Sequence, residues 1–219
     1  MIRNLILGLV PYLALTAFLA QGSAQEAGPT PDEALKRLKE GHARFVADKL
    51  KEAKPPSRQR LATAEKQKPI AVILTCADSR PAPEYVFDKG IGVLFVVRVA
   101  GNVGGPEVYA SMEYAAAVLK TPLIVVLGHS NCGAVEAVIK DKDLPTEHLK
   151  NLIRLIRTGD NPKDLDTAIH NNVLAQTEQV TKQSSLLKDL ASTGRIKIVP
   201  AVYDLKSGEV RWLELKRQR

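Results

Sequence analysis

Three short apolar runs lie along the chain: IAVILTC (70–76), GVLFVVRVA (92–100) and PLIVVLGH (122–129). Each run is rich in β-branched residues, and none alternates polar with apolar positions. Strands buried on both faces of a parallel sheet have this composition, whereas strands with one solvent-exposed face alternate. The three runs therefore predict three buried parallel strands.

Segments with helical spacing lie before, between and after these runs. Thr30 and Glu33 have the spacing of a capping box, and Pro31 suits the first helical position, which together predict a helix over about 31–50. Further helices are predicted in GPEVYASMEYAAAVLK, in CGAVEAVIK and over about 161–191. This alternation of strands and helices indicates an α/β fold.

The last part of the chain has a different pattern. RIKIVPAVYDLKSGEVRWLELK predicts two strands joined by a turn at Ser207–Gly208. The predicted fold class is thus α/β, with a central, mostly parallel β-sheet flanked by helices. A C-terminal antiparallel hairpin forms one sheet edge, and an extended N-terminal helix precedes the sheet.

The first residues have the pattern of an export signal. Arg3 is followed by an apolar, uncharged stretch from Leu5 to Ala20, and small residues stand at Gly22 and Ala24. We predict a signal peptide over 1–24 and a single catalytic domain over 25–219, with the protein exported to the periplasm or secreted. An uncleaved membrane anchor is the alternative.

Composition narrows the choice of partners. The chain of 219 residues has a net charge of +7, which becomes +6 without Arg3. Basic residues are interspersed with acidic ones, and aromatic residues make up only 5% of the chain, so no stacking platform for bases is evident. We predict a small-molecule substrate, no nucleic acid, and no membrane association after signal cleavage.

Three side chains that bind metals follow directly on the predicted strands. Cys76, His129 and Cys132 would meet at the carboxyl edge of the sheet, where open α/β folds bind their ligands. Two thiolates and one imidazole suit Zn²⁺ and leave a fourth position open, as in catalytic zinc sites. Two alternatives remain at this point, namely buried structural cysteines and a Cys76–Cys132 disulfide.

A charged pair lies in the loop that carries the first cysteine. Asp78 could reach the fourth position of a metal, or accept a hydrogen bond from metal-bound water. Arg80 could hold that carboxylate in a bidentate pair. An ordinary loop salt bridge is the alternative interpretation.

These residues match a family pattern. CADSR, followed 53 positions later by HSNC, resembles the C-x-D-x-R and H-x-x-C motifs of the β-class carbonic anhydrases, and the similarity extends over about 30–215. The resemblance implies zinc-dependent, reversible hydration of carbon dioxide to bicarbonate and a proton by zinc-bound hydroxide. It implies a homodimer or a larger homo-oligomer, with the early helix packed on the partner subunit.

The resemblance also implies roles for individual residues. Zn²⁺ would be the cofactor, bound by Cys76, His129 and Cys132. The catalytic pair would be Asp78 and Arg80, while Gln67 and Gly133 would bind substrate or bicarbonate. Two alternatives to the hydration reaction are a hydrolase of carbon disulfide or carbonyl sulfide on the same scaffold, and a non-catalytic protein that binds zinc or an anion.

An exported site with two thiolates raises a redox hypothesis. In an oxidising compartment, bound metal would protect Cys76 and Cys132, whereas the metal-free protein could be trapped as a disulfide between them. One further feature departs from part of the family. One subclass forms an inhibitory bicarbonate pocket with a tryptophan at the position of Ile73, so that pocket is not expected here.

Overall fold

A five-stranded sheet in the order β2-β1-β3-β4-β5 forms the centre of the protein. The structure, a computed structural model, describes residues 28–52 and 57–215. The predicted signal peptide and its cleavage site lie outside these residues. The strands are β1 (Ala71–Thr75), β2 (Leu94–Arg98), β3 (Leu123–His129), β4 (Lys197–Tyr203) and β5 (Val210–Trp212).

The first four strands are parallel, and the fifth is antiparallel to β4. This arrangement confirms the mostly parallel sheet and the edge hairpin closed near Ser207–Gly208. The helices are α1 (Pro31–Val46), α2 (Ser57–Thr63), α3 (Pro83–Val86), α4 (Pro106–Glu113), α5 (Gly133–Ile139), α6 (Glu147–Ile153), α7 (Leu165–Gln183) and α8 (Ser185–Ser192).

The sheet is covered on both faces, which explains the continuous apolar composition of its central strands. Val72 and Leu74 of β1 belong to a core formed with α4, α5, α7 and α8. The intervening Ile73 belongs to a second core that includes residues of α1 and α3. Alternate residues of one strand thus enter different cores, and no position of β1 needs to be polar.

Strand β2 differs from the prediction for its segment. Its residues from Leu94 to Val97 are only half-buried, although their composition predicts burial on both faces. The reason is position, because β2 lies at one end of the sheet and pairs with β1 alone among the described strands. An apolar edge strand of this kind has an unused row of backbone hydrogen-bonding groups.

Helix α1 packs against its own chain. Thr30 and Glu33 form the predicted capping box, and Ala34 and Leu38 are fully buried in the second core. A Cβ added at Gly41 would lie only 1.9 Å from the backbone oxygen of Phe87, so the helix approaches the α3 segment closely. One face of the helix is thus buried within its own chain, and the packing of the helix on a partner subunit stays a prediction.

The long helix predicted over about 161–191 is divided in two. Its first turn begins at Leu165, because Asp164 caps it by accepting a hydrogen bond from the backbone of Thr167. Ser184 then interrupts the helix in an extended conformation and caps α8. Within the part of the chain that the structure describes, no helix is long and apolar enough to span a bilayer.

Candidate metal centre

Three metal-binding side chains meet at the carboxyl edge of the sheet, as their positions in the sequence predict. Cys76 follows β1, His129 ends β3, and Cys132 is the residue that precedes the first turn of α5. Their sulfur and nitrogen atoms all lie within 4.8 Å of one another. All three are buried, with exposed fractions of 4%, 1% and 2%. No second group of this kind occurs among the described residues.

The imidazole of His129 is oriented for a metal. Its Nδ1 lies 2.8 Å from the backbone oxygen of Ser130. A carbonyl oxygen can only accept, so Nδ1 carries the proton and donates a hydrogen bond to that oxygen. The other nitrogen, Nε2, is buried and has no hydrogen-bond partner in the described structure. A buried lone pair without a partner is costly, and a cation between the three ligands would satisfy it.

The sulfur atoms of Cys76 and Cys132 interact directly. A hydrogen bond from Cys132 lowers the pKa of Cys76, and the same contact, together with burial, raises the pKa of Cys132. These opposite pKa shifts favour a thiolate at Cys76 and a thiol at Cys132. A cation is needed before both become thiolates, which is the form that binds zinc. The ligand types and their mutual approach therefore fit a zinc ion.

Asp78 and Arg80 form a pair beside this cluster. Arg80 donates from Nε to Asp78 Oδ1 at 2.9 Å and from Nη2 to Oδ2 at 2.6 Å. These hydrogen bonds hold the pKa of Asp78 well below its usual value, so the carboxylate stays ionised. Asp78 Oδ2 lies 3.8 Å from His129 Nε2. The pair is therefore more than a remote loop salt bridge, because its carboxylate faces the metal ligands.

Gly133 also lies at the centre, whereas Gln67 does not. Gly133 follows Cys132 directly, is exposed, and has no atom within 4 Å of the place where a Cβ would be. Gln67 is exposed and precedes β1, so it lies near the amino ends of the parallel strands, whereas the metal-binding side chains lie at the carboxyl ends. A strand of 5 residues separates it from Cys76, which is a length of about 16 Å. Gln67 therefore cannot contact the metal ligands of its own chain.

The structure also identifies supporting residues that sequence reasoning missed. Arg98, the last residue of β2, donates to the backbone oxygens of Cys76 and Asp78. The backbone N–H of Gly101 donates to Cys76 Sγ at 3.2 Å. The sequence contains a weak indication of the first contact, because Arg98 is the one charged residue in an apolar run. It contains none of the second contact, since a backbone group makes it.

Comparison with known proteins gives a family for this geometry. A carbonic anhydrase family model matches residues 71–210, which include all three metal-binding side chains and the Asp78–Arg80 pair. Carbonic anhydrase 2 of Mycobacterium tuberculosis is 39% identical over 187 residues, which cover 81% of this chain and 90% of that protein. The chain belongs to the β-class carbonic anhydrase family. Hydration of carbon dioxide is the general reaction of these zinc enzymes.

Other carbonic anhydrases are similar to this one. The enzyme of Mycolicibacterium smegmatis is 38% identical over 192 residues, covering 82% of this chain and 92% of that protein. Among solved structures, the β-carbonic anhydrase CafA of Aspergillus fumigatus aligns with a TM-score of 0.65 at 23% identity, covering 85% of this chain and 92% of that chain. A tetrameric β-carbonic anhydrase of Sordaria macrospora aligns with a TM-score of 0.63 at 22% identity, covering 72% and 88%. These structural likenesses establish the shared fold.

Proposed function

We propose that this protein hydrates carbon dioxide reversibly at a zinc ion bound by Cys76, His129 and Cys132. The observation that carries the proposal is the buried, unpartnered Nε2 of His129, aimed at two sulfurs beside an ionised carboxylate. Zinc held by these ligands would lower the pKa of a water molecule toward neutrality, so that a nucleophile exists at ordinary pH.

The other residues of the site have distinct roles in this proposal. Asp78 accepts a hydrogen bond from the reacting water and so directs its lone pair toward carbon dioxide. Arg80 holds Asp78 in place and keeps it ionised, because it donates a hydrogen bond to each oxygen of the carboxylate. Gly133 is exposed at the start of α5, and its N–H is the donor that we assign to the small anionic product.

We propose further that the active form is a homodimer or a larger homo-oligomer. Gln67 cannot reach the metal ligands of its own chain, so a role in substrate binding requires Gln67 of the partner subunit. A suitable surface exists along β2, whose free edge is apolar and half-buried. Tyr114 is 48% exposed there, with its ring 6.4 Å from that of Phe95 on β2.

Light scattering with size-exclusion chromatography tests the assembly. Tyr114→Arg should shift the protein to monomers and lower the hydration rate, because each site would lose its neighbour. Leu215→Arg is the matched control, since Leu215 is 39% exposed just after β5, at the other end of the sheet from β2. A fully active monomeric wild type would contradict the oligomer proposal.

Metal content and stopped-flow carbon dioxide hydration test the central proposal. The wild type should contain one zinc per chain and be active, whereas Asp78→Ala should retain zinc and lose most activity. Asp32→Ala is the control, because Asp32 is an exposed carboxylate paired with Lys197 at the amino end of β4. Zinc without hydration in the wild type would favour a non-catalytic binder. Hydrolysis of carbon disulfide or carbonyl sulfide in place of hydration would favour the analogue hydrolase.

We also propose that the protein is exported, to the periplasm or beyond, because residues 1–24 have the pattern of a signal peptide. The test is N-terminal sequencing of protein recovered from the periplasm or the medium. The expected first residue is Gln25. Recovery of chains that begin at Met1 would contradict cleavage.

A further inference from the structure

A chain of hydrogen bonds joins the middle of α7 to the metal ligand Cys76. Asn172 is buried, with 1% of its surface exposed, and its Nδ2 donates to the backbone oxygen of Gly101 at 2.9 Å. The backbone N–H of the same glycine donates to Cys76 Sγ at 3.2 Å. Gly101 is thus held at both its polar groups, by the helix on one side and by the sulfur on the other.

The amide of Asn172 can adopt only one orientation in this environment. Its Oδ1 accepts from the backbone N–H of Arg157 at 3.0 Å and from Gln176 Nε2 at 3.3 Å. Two donors thus face the oxygen, while a carbonyl faces the nitrogen, so the opposite orientation would place donors against donors. Gln176 is itself fixed, because its Oε1 accepts from the N–H of Gly104 at 3.0 Å.

Gly101 needs such support more than most residues do. Its φ angle is +73°, a left-handed conformation that glycine adopts freely but does not keep by itself. A Cβ at this position would come within 2.9 Å of Ile156 Cδ1, so a bulkier residue cannot replace it without a shift. The turn is closed by the backbone N–H of Asn102, which donates to the oxygen of Val99 at 2.8 Å, and Asn172 restrains the same turn from outside the loop.

We propose that Asn172 is a positioning residue of the metal centre. It holds the carbonyl of Gly101, and thereby directs the N–H of Gly101 at the sulfur of Cys76. This inference rests on the proposed zinc site, since it treats Cys76 as a ligand of that zinc. An N–H group aimed at a thiolate fixes the direction of its lone pairs and draws off part of its negative charge.

Two substitutions and a matched control separate positioning from general stability. Asn172→Asp keeps an acceptor for the N–H of Arg157 and for Gln176, but its carboxylate repels the carbonyl of Gly101. Asn172→Leu removes both sets of contacts. Asn171→Leu is the control, because Asn171 Nδ2 makes the same kind of bond, to the backbone oxygen of Thr158 at 2.7 Å, without touching Gly101.

The first readout is zinc affinity, measured by competition with a chromophoric chelator. The second is the thiolate-to-cobalt charge-transfer band of the Co²⁺-substituted protein. Loss of a partner behind a metal ligand typically weakens metal binding by about 10–100-fold. We expect a loss in this range for both Asn172 variants, together with a displaced band. Asn171→Leu should leave both readouts unchanged, even where it lowers the melting temperature.

A wild-type measurement decides the matter if the variants do not fold. In the ¹¹³Cd-substituted protein, the amide proton of Gly101 should show scalar coupling to cadmium through the sulfur of Cys76. Absence of that coupling would overturn the inference, as would folded Asn172 variants with wild-type affinity and an unmoved cobalt band. A wild type that binds no metal would instead refute the proposed zinc site, so the two failures are distinguishable.

Discussion

Replacement of Arg98 should weaken catalysis although this residue touches neither the metal ligands' side chains nor the substrate position. Its Nε lies 3.2 Å from the backbone oxygen of Cys76, and its Nη2 donates to the backbone oxygen of Asp78. One planar guanidinium thus spans the loop that carries Cys76 and the carboxylate of Asp78. Arg98→Gln removes the charge and cannot span both oxygens.

The size of the effect follows from the two bonds. Each contributes about 0.5–1.5 kcal/mol net, so their loss removes about 1–3 kcal/mol of restraint from the loop. Arg98 is exposed, so in the variant water molecules can donate to the two backbone oxygens and offset part of the lost free energy. Arg80 also restrains the loop through the backbone oxygen of Asn131, at 3.3 Å. If the lost restraint raises the activation free energy by about 1.4 kcal/mol, kcat/KM falls about tenfold.

Stopped-flow hydration kinetics, with zinc content measured on the same samples, would test this prediction. Arg98→Lys should lie between Arg98→Gln and the wild type, because an ammonium is a single point donor. Arg195→Gln, an exposed residue before the amino end of β4, should have no effect.

A double-mutant cycle tests the reasoning itself. If Arg98 acts through the loop that holds Asp78, then Arg98→Gln should cost much less in an Asp78→Ala background than in the wild type. Equal losses in both backgrounds, with zinc content unchanged, would refute the proposed route. They would assign Arg98 an effect independent of Asp78.

Three further predictions concern stability, redox state and pH. Leu38→Ala should lower the free energy of unfolding by about 2–5 kcal/mol in a denaturant titration, because Leu38 is fully buried within its own chain; a change near zero would contradict that packing. Metal-stripped protein exposed to air should lose both free thiols to a Cys76–Cys132 disulfide, and persistent free thiols in a thiol assay would exclude it. The backbone N–H of Thr167 lowers the pKa of Asp164 from its usual 3.8, so this cap stabilises α7 above that pH and loses its effect as the pH falls through the lower folded value. The melting temperature of Asp164→Ala should therefore approach that of the wild type in acid, and a gap that widens there would be inconsistent.

The sequence predicts the centre of the sheet well, because a strand that is buried on both faces has an almost continuous run of apolar residues. Strands β1 and β3 are buried at every position, and their side chains alternate between two cores. The predicted burial is wrong for β2, since apolar composition does not distinguish a strand covered by helices from an edge strand. The break at Ser184 leaves no comparable signal, because one polar residue within a helical pattern is compatible with an unbroken helix.

The metal ligands could be found from the sequence for a related reason. Cys76 and His129 lie at the carboxyl ends of adjacent parallel strands, so strand prediction alone brings them to the same edge. Prediction of the supporting contacts would require knowledge of the tertiary structure. Arg98 acts across a strand pair, and Asn172 acts from a helix more than seventy positions away from Gly101. Neither contact has a periodicity or a local motif.

The supporting contacts imply that the site is assembled by folding before metal is bound tightly. The ligands come from the ends of β1 and β3 and the start of α5, while their supports come from β2 and α7. Local structure alone cannot bring these five elements together, so an unfolded chain would offer zinc only dispersed thiols and imidazoles. Binding energy would then contribute to the stability of the whole sheet. Chelation of the metal should accordingly lower the melting temperature, and it should do so less in Asn172→Asp, where the ligands are already poorly held.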